Sequence, residues 1–333
     1  MLFTLIIAIL SLSSCSKQTK SIDEILNSDF EIKQISRGNN NPKISLAKDS
    51  IHIFLTALHY KIPVQKIASK LNWNDKLTKE NIDALTKNGL IKNDDGILIP
   101  KLGILTLERG KLLNEKCKAI SQEIANGIES QLLEIKKLHN KTTASKSYSF
   151  QDLSLFYISN VLLDNVQIAN VERDFLKEQR PLRNGSRYYL SIQEKEKNSK
   201  FESFGIYGNQ ILVSNDSIVV AAYGNTRNDL NVGWKDYKNK LVHSFSKNDF
   251  NIIVNEMPKL FLTDLIKILN KHKRYFEEVY KELNFNEEVS FEEFFIWWYH
   301  IIYTQTTDIL IELNIIEKPA SDNGLIYYEL ILK

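Results

Sequence analysis

The chain has 333 residues, 43% of them hydrophobic and 25% charged, with a formal net charge of +2. That balance describes a globular chain of roughly two or three domains and excludes a disordered one. The charge is too small to mark a nucleic-acid partner.

Residues 2–14 carry no charge, and the apolar run Leu5–Leu10 gives way to the small residues Ser11, Ser13 and Ser14. An apolar core followed by small residues is the pattern of a secretory signal peptide, and the run is too short to span a bilayer. No Lys or Arg precedes it, where a positive segment is usual; an upstream start would supply one. Leu12-Ser13-Ser14-Cys15 resembles the lipobox of bacterial lipoproteins. The resemblance implies that residues 1–14 are removed and that Cys15 is acylated on its thiol and on the new amino terminus, enough acyl chains for stable anchoring. Ser16, rather than Asp, after the cysteine resembles lipoproteins sent to an outer membrane, and no acidic run follows. The expected address is therefore the cell envelope, lipid-anchored at the outer membrane and facing the periplasm. With Cys15 acylated only Cys117 remains, so the exported body must rely on core packing rather than a disulfide.

Residues 15–50 read as a lipidated, polar tether, with one short helix suggested by Ile22, Ile25 and Leu26 and a loop at Arg37–Pro42. From Ile51 the spacing predicts a helix to His59, a second opened by Pro63 with Val64, Ile67, Ala68 and Leu71 inward, and a break at Asn72–Asn74. A third helix, Lys79–Lys87, is capped by Thr78 and ended by Asn88-Gly89; Leu90-Ile91 and Ile97–Ile99 then flank a tight turn at Asn93–Gly96. Three helices and a hairpin over 51–110 resemble a winged-helix domain.

Residues 111–149 begin with one long amphipathic helix, Lys111–His139, its stripe running through Leu113, Cys117, Ile120, Ile124 and Ile128, with Gly127 inside it and a linker after it. Residues 150–250 form a central region: a helical stretch, Leu153–Leu176, then strand-like pieces at Arg187–Ile192, Phe204–Tyr207, Ile211–Val213 and Ile218–Tyr223 that suggest an antiparallel sheet. Residues 251–333 return to helices, Met257–Tyr280 and Phe291–Leu313. They end in a hairpin from Ile315–Lys318 through Ala320–Gly324 to Leu325–Leu332, a second winged-helix-like unit in outline. The fold class expected is α+β and multidomain.

The arginines Arg173, Arg180, Arg183 and Arg187, beside Tyr188 and Tyr189, combine forked donors with flat amphipathic rings. Such a group suits an anionic glycan, a peptide carboxylate or an acidic partner protein, against the plainer reading of solvated charges around a helix end. Trp297 and Trp298 are candidates for an aromatic interface, Trp297 towards core and Trp298 towards a groove. Gly208-Asn209 and Gly224-Asn225 read as turns, and the acid pairs Glu287-Glu288 and Glu292-Glu293 as solvated or capping residues. Asp49-Ser50-Ile51 and Asp216-Ser217-Ile218 resemble the short O-glycosylation acceptor pattern of some exported bacterial proteins, making Ser50 and Ser217 candidate acceptors. No His-Glu-x-x-His, Gly-x-Ser-x-Gly or phosphate-loop motif occurs, so no metal, cofactor or catalytic residue is assigned. His59 and His300, the two histidines in aromatic company, read as packed rather than catalytic.

The leading functional expectation is a non-enzymatic, membrane-anchored binding or assembly protein. The alternatives are an envelope enzyme acting on glycan or peptide and, if the lipobox is accidental, a cytoplasmic winged-helix regulator. For the last, helix Lys79–Lys87 mixes Lys79 and Lys87 with Glu80 and Asp83, a poor phosphate-contacting face.

Overall fold

Residues 19–196, 206–225, 240–319 and 324–333 are described in the computed structural model. Cys15 and the turn at Ala320–Asn323 lie outside them.

The chain starts with α1 (Ile22–Leu26), held by a reciprocal Ser21–Glu24 capping box, and β1 (Asp29–Ile35). β1 pairs in full with β7, so these residues belong to the body rather than to a tether. Then follow α2 (Ile51–His59), α3 (Val64–Lys70) and α4 (Asp75–Lys87). α4 opens a turn earlier than the sequence suggests, because the Asn74 side chain accepts from the Leu77 amide and caps it. β2 (Ile91–Asp94) and β3 (Ile97–Pro100) form a hairpin around Asp95-Gly96, both with positive φ, as a primed two-residue turn demands. β4 is Gly103–Leu105.

The expected single helix over 111–139 is two, α5 (Leu107–Lys116) and α6 (Lys118–Lys141), jointed at Cys117, whose φ −93 and ψ −6 lie at the edge of the right-handed helical region. Gly127 of α6 has a packing reason: a Cβ there would lie 2.7 Å from the Phe261 ring. α7 (Phe150–Ser154) runs into a π-helical stretch, Leu155–Leu163; Asp164 breaks the helix, and α8 (Asn165–Val171) ends in a further π-turn, Glu172–Leu176.

β5 (Leu182–Arg183), β6 (Ser186–Arg187), β7 (Tyr189–Lys195), β8 (Tyr207–Ser214), β9 (Ile218–Asn225) and β10 (Val242–Phe245) follow. α9 (Lys247–Asn251), α10 (Met257–Glu282), α11 (Phe291–Glu312) and β11 (Ile326–Ile331) complete the α+β fold.

Among the described residues one sheet has the order β1-β7-β4 and another β10-β11-β9-β8. Both draw strands from distant parts of the chain. The C-terminal segment does end as a paired strand, but β11 lies parallel to β10 and antiparallel to β9 rather than folding back on residues 315–318. Gly208 and Gly224 are not turn residues; they face each other across β8 and β9, and a Cβ on Gly224 would strike Leu325 at 2.4 Å.

β7 is the wall between two cores. Tyr188, Leu190 and Ile192 face a smaller core with Ile25, Phe54, Ile67 and Leu85, where Phe54 stacks on Trp73 at 5.0 Å. Tyr189 faces the larger core built on α6, α10 and α11. Side chains thus alternate between the two cores from Tyr188 onward, as they do about a strand. Among the described residues no helix is long and apolar enough to cross a membrane.

Candidate functional site

The arginine–tyrosine group does not converge. Arg173 is exposed and engaged with its neighbour Asp174 at 2.6 Å. Arg183 is buried: its guanidinium reaches the Tyr188 and Lys101 carbonyls at 2.7 and 2.6 Å and the Glu293 carboxylate at 2.6 Å. Exposed Arg187 donates to the Arg180 carbonyl at 2.8 Å. Tyr188 and Tyr189 are fully buried, their hydroxyls without partners. Arg180 borders a cavity. Its Nε and Nη2 grip Glu172 at 2.6 and 3.0 Å, and its buried Nη1 has no partner.

That cavity, about 390 Å³, lies between the end of β1 with the residues after it, the start of α8, the first half of β8 and the middle of α11. Asp164 lines it from the break between the π-helical stretch and α8. Burial pushes its carboxyl well above the usual range, and the Tyr303 hydroxyl offsets only part of that, so the protonated acid is favoured. His300 lines it from α11. Its Nδ1 is 2.7 Å from the Ile296 carbonyl, which can only accept, so Nδ1 carries the proton and Nε2 keeps its lone pair. Burial pushes this imidazole down to about 4; the Ile296 carbonyl opposes that, and the Lys33 charge adds to it.

Trp297 also lines the cavity, with its indole edge against β4: a Cβ on Gly103 would meet Cδ1 at 3.1 Å, and buried Nε1 has no partner. Both tryptophans are buried in the larger core, as expected for Trp297, but it is Trp297 rather than Trp298 that also borders the open space. Trp298 does not reach the cavity lining and is anchored in the core by its Nε1, which donates to the Leu113 carbonyl at 3.0 Å.

The charges around the cavity are unbalanced. Lys33, Arg37 and Arg180 line it; Lys33 pairs with Glu31 at 2.5 Å and Arg180 with Glu172, while exposed Arg37 has no ion-pair partner among the described residues. The acid lining the cavity, Asp164, is the one burial favours as protonated. The arrangement offers a cationic rim, a neutral carboxylic acid as donor and a neutral imidazole as acceptor, chemistry that suits an anion with further polar groups.

Asp164, Lys33 and Arg37 carry no motif that marks them as site residues in the sequence, where His300 reads as packed. The available signal was Asp164 itself, one acid directly after the apolar run Val161–Leu163. Glu288 and Glu293, read as solvated or capping, are instead buried anchors. Glu288 binds His59 and lies 2.7 Å from Arg109; burial pushes its carboxyl up, but the His59 and Arg109 charges outweigh that and hold it below its usual value. Ser50, half-buried with φ +58, starts α2, and Ser217 is exposed in the β8–β9 turn.

No protein-family model, curated protein sequence or solved structure matches the chain.

Proposed function

We propose that the protein is an envelope lipoprotein, anchored through acylated Cys15 at the outer membrane and facing the periplasm. Its body acts as a non-enzymatic binding or assembly protein that holds an anionic ligand in the cleft between β1 and β8. The observation that carries the binding part is the charge there: of the three cations lining the cleft, Lys33 and Arg180 are paired with Glu31 and Glu172, while Arg37 has no ion-pair partner among the described residues and burial favours the protonated form of the one lining acid, Asp164. The address rests on Leu12-Ser13-Ser14-Cys15 and the apolar run before it. The order α2, α3, α4 and hairpin supports reading residues 51–110 as a winged-helix-like module that packs and supports rather than reads DNA, since α4 mixes acids and bases on its exposed face.

A second reading has one observation behind it. Asp164 as an acid and His300 with a free Nε2 border the same space, which resembles an acid–base arrangement for an envelope enzyme acting on glycan or peptide. It ranks lower, because an imidazole pushed down to about 4 is a weak base near neutral pH.

Fractionation of cells expressing the wild type and Cys15→Ala, with mass analysis of the mature N-terminus, tests the address. Diacylglyceryl-modified Cys15 in the membrane fraction is expected; an intact soluble chain in both strains overturns it. Thermal shifts of the detergent-solubilised chain with dicarboxylates, sugar phosphates and acidic peptides test the cleft. At least one of these probes stabilises the wild type and not Arg37→Glu; equal response of the two proteins, or none, overturns the anion site.

A further inference from the structure

The cleft has a second property, independent of its charge: its two long walls are the free edges of two sheets. β1 ends one sheet and β8 ends the other, and each is paired on one side only among the described residues. The lining takes in consecutive residues from both, 33–37 on one wall and 206–211 on the other. A strand shows alternate side chains on a face, so an unbroken run along a wall means that the main-chain edge borders the space.

The ladder identifies which backbone groups of β8 point there. The Tyr207 amide donates to Thr304 Oγ1 at 3.1 Å, and the Tyr207 carbonyl accepts from the Tyr303 hydroxyl at 2.6 Å, so both face away from β9. Outward and inward residues alternate along an antiparallel strand, and the pairing with β9 is regular from Tyr207 as far as Ile211, before a register shift between Ile211 and Val213, which turns the amides of Asn209 and Ile211 outward too. α11 covers this edge at Tyr207, and beyond it Asn209 and Ile211 make no outward main-chain hydrogen bond among the described residues. Exposed edges in stable proteins are commonly guarded by lysine or proline. β8 has neither a charged residue nor a proline from Tyr207 to Ser214, and Ile211 is 67% exposed.

We propose that the cleft takes an extended acidic peptide segment as an added strand on β8, its main chain bound at Asn209 and Ile211 and a carboxylate held by Arg37 and Arg180. The proposal rests on the reading of the cleft as an anion site and names the class of its ligand. Walls of five or six residues match one ordinary strand length, about 17–20 Å. Main-chain bonds supply affinity in this mode and the cations select for acid. The partner is thus a protein with an extended acidic segment rather than a free glycan.

Random peptides displayed on phage, selected on the detergent-solubilised full chain, provide the probe, and the most enriched peptide is then synthesised. It is expected to carry acidic residues, to slow amide exchange at Asn209 and Ile211, and to lose affinity about tenfold or more when alternate peptide nitrogens are methylated. Ile211→Pro removes an outward amide that no ladder bond uses, so this variant keeps its urea midpoint and loses the peptide. A binder that needs Arg37 but is indifferent to N-methylation and to Ile211→Pro overturns the added strand and leaves the anion site standing. A binder that needs the strand edge but not Arg37 overturns the anion site and the acidic partner. No enrichment, or a binder that leaves both amides exchanging freely, overturns the proposal.

Discussion

Arg183 and Glu293 meet at 2.6 Å with 4% and 2% of their side chains exposed, tying the β5–β6 hairpin to the first turn of α11. Glu293 also accepts from the Leu190 amide at 3.1 Å, so one carboxylate holds both the hairpin arginine and the dividing strand β7. Burial raises its carboxyl even against the Arg183 charge, which shows how large the desolvation is.

Glu293→Gln leaves Arg183 charged, buried and without its anion. A loss on the order of 3–5 kcal/mol in unfolding free energy is expected by urea titration. Replacing both, as Arg183→Met with Glu293→Leu, costs clearly less than the sum of the single changes. Strict additivity in the double-mutant cycle would mean that the two groups are not energetically coupled.

Gly127→Ala inverts the usual helix rule. Alanine in a helix interior gains about 1 kcal/mol over glycine, but the new methyl falls 2.7 Å from the Phe261 ring, and overpacking costs about 1–3 kcal/mol. The urea midpoint is expected to fall. In a Phe261→Leu background the same change should raise it, and a rise in both backgrounds would exclude the close contact.

What was legible in the sequence was what repeats locally. The 3.6-residue stripes of α6 and α10, the apolar runs of α2 and α11, the Asp95-Gly96 hairpin and the β8–β9 turn all follow from near neighbours. Pairing of β1 with β7, some 160 positions later, leaves no local mark, so a polar strand read as tether. The same holds for β11, which inserts between β9 and β10 because its apolar residues are buried there. Of the cleft, Arg180 and Trp297 were visible as chemistry, but the other arginines look alike in sequence and differ in burial and in the acceptor each finds: Asp174 for Arg173, Glu293 for Arg183, the Arg180 carbonyl for Arg187. Asp164 was hidden because its meaning depends on Tyr303, Tyr223 and Tyr299, which other elements bring to it.

Cys117 should be inert in the folded protein. It is fully buried at the α5–α6 joint, and burial pushes the thiol up to about 12. In the Cys15→Ala chain, iodoacetamide near pH 8 is expected to label it only on unfolding, since the shift alone lowers the thiolate fraction on the order of a thousandfold. Mass spectrometry across a urea series should show labelling rise with the unfolding transition. Full labelling well below that transition would mean that the α5–α6 joint opens locally.

Two of the titratable groups facing the cleft, His300 and Asp164, should pull stability in opposite directions with pH. His300 has its folded value lowered to about 4 from 6.5, so between these values the unfolded chain binds more protons and stability rises with pH. Acidification from pH 7 to below 4 therefore removes on the order of 3 kcal/mol that depends on His300. The gap in unfolding free energy between the wild type and His300→Gln should shift by that amount in favour of the variant. Asp164 is the reverse case: its folded value lies above its unfolded one, so its contribution is present at low pH and lost as pH rises through the folded value. Asp164→Asn, near in shape and unable to ionise, should gain on the wild type as pH rises. Urea titrations of the three proteins at several pH values test both slopes. A flat difference for Asp164→Asn would mean that the carboxyl is ionised in the folded protein, leaving the cleft with an anion of its own and little reason to attract another.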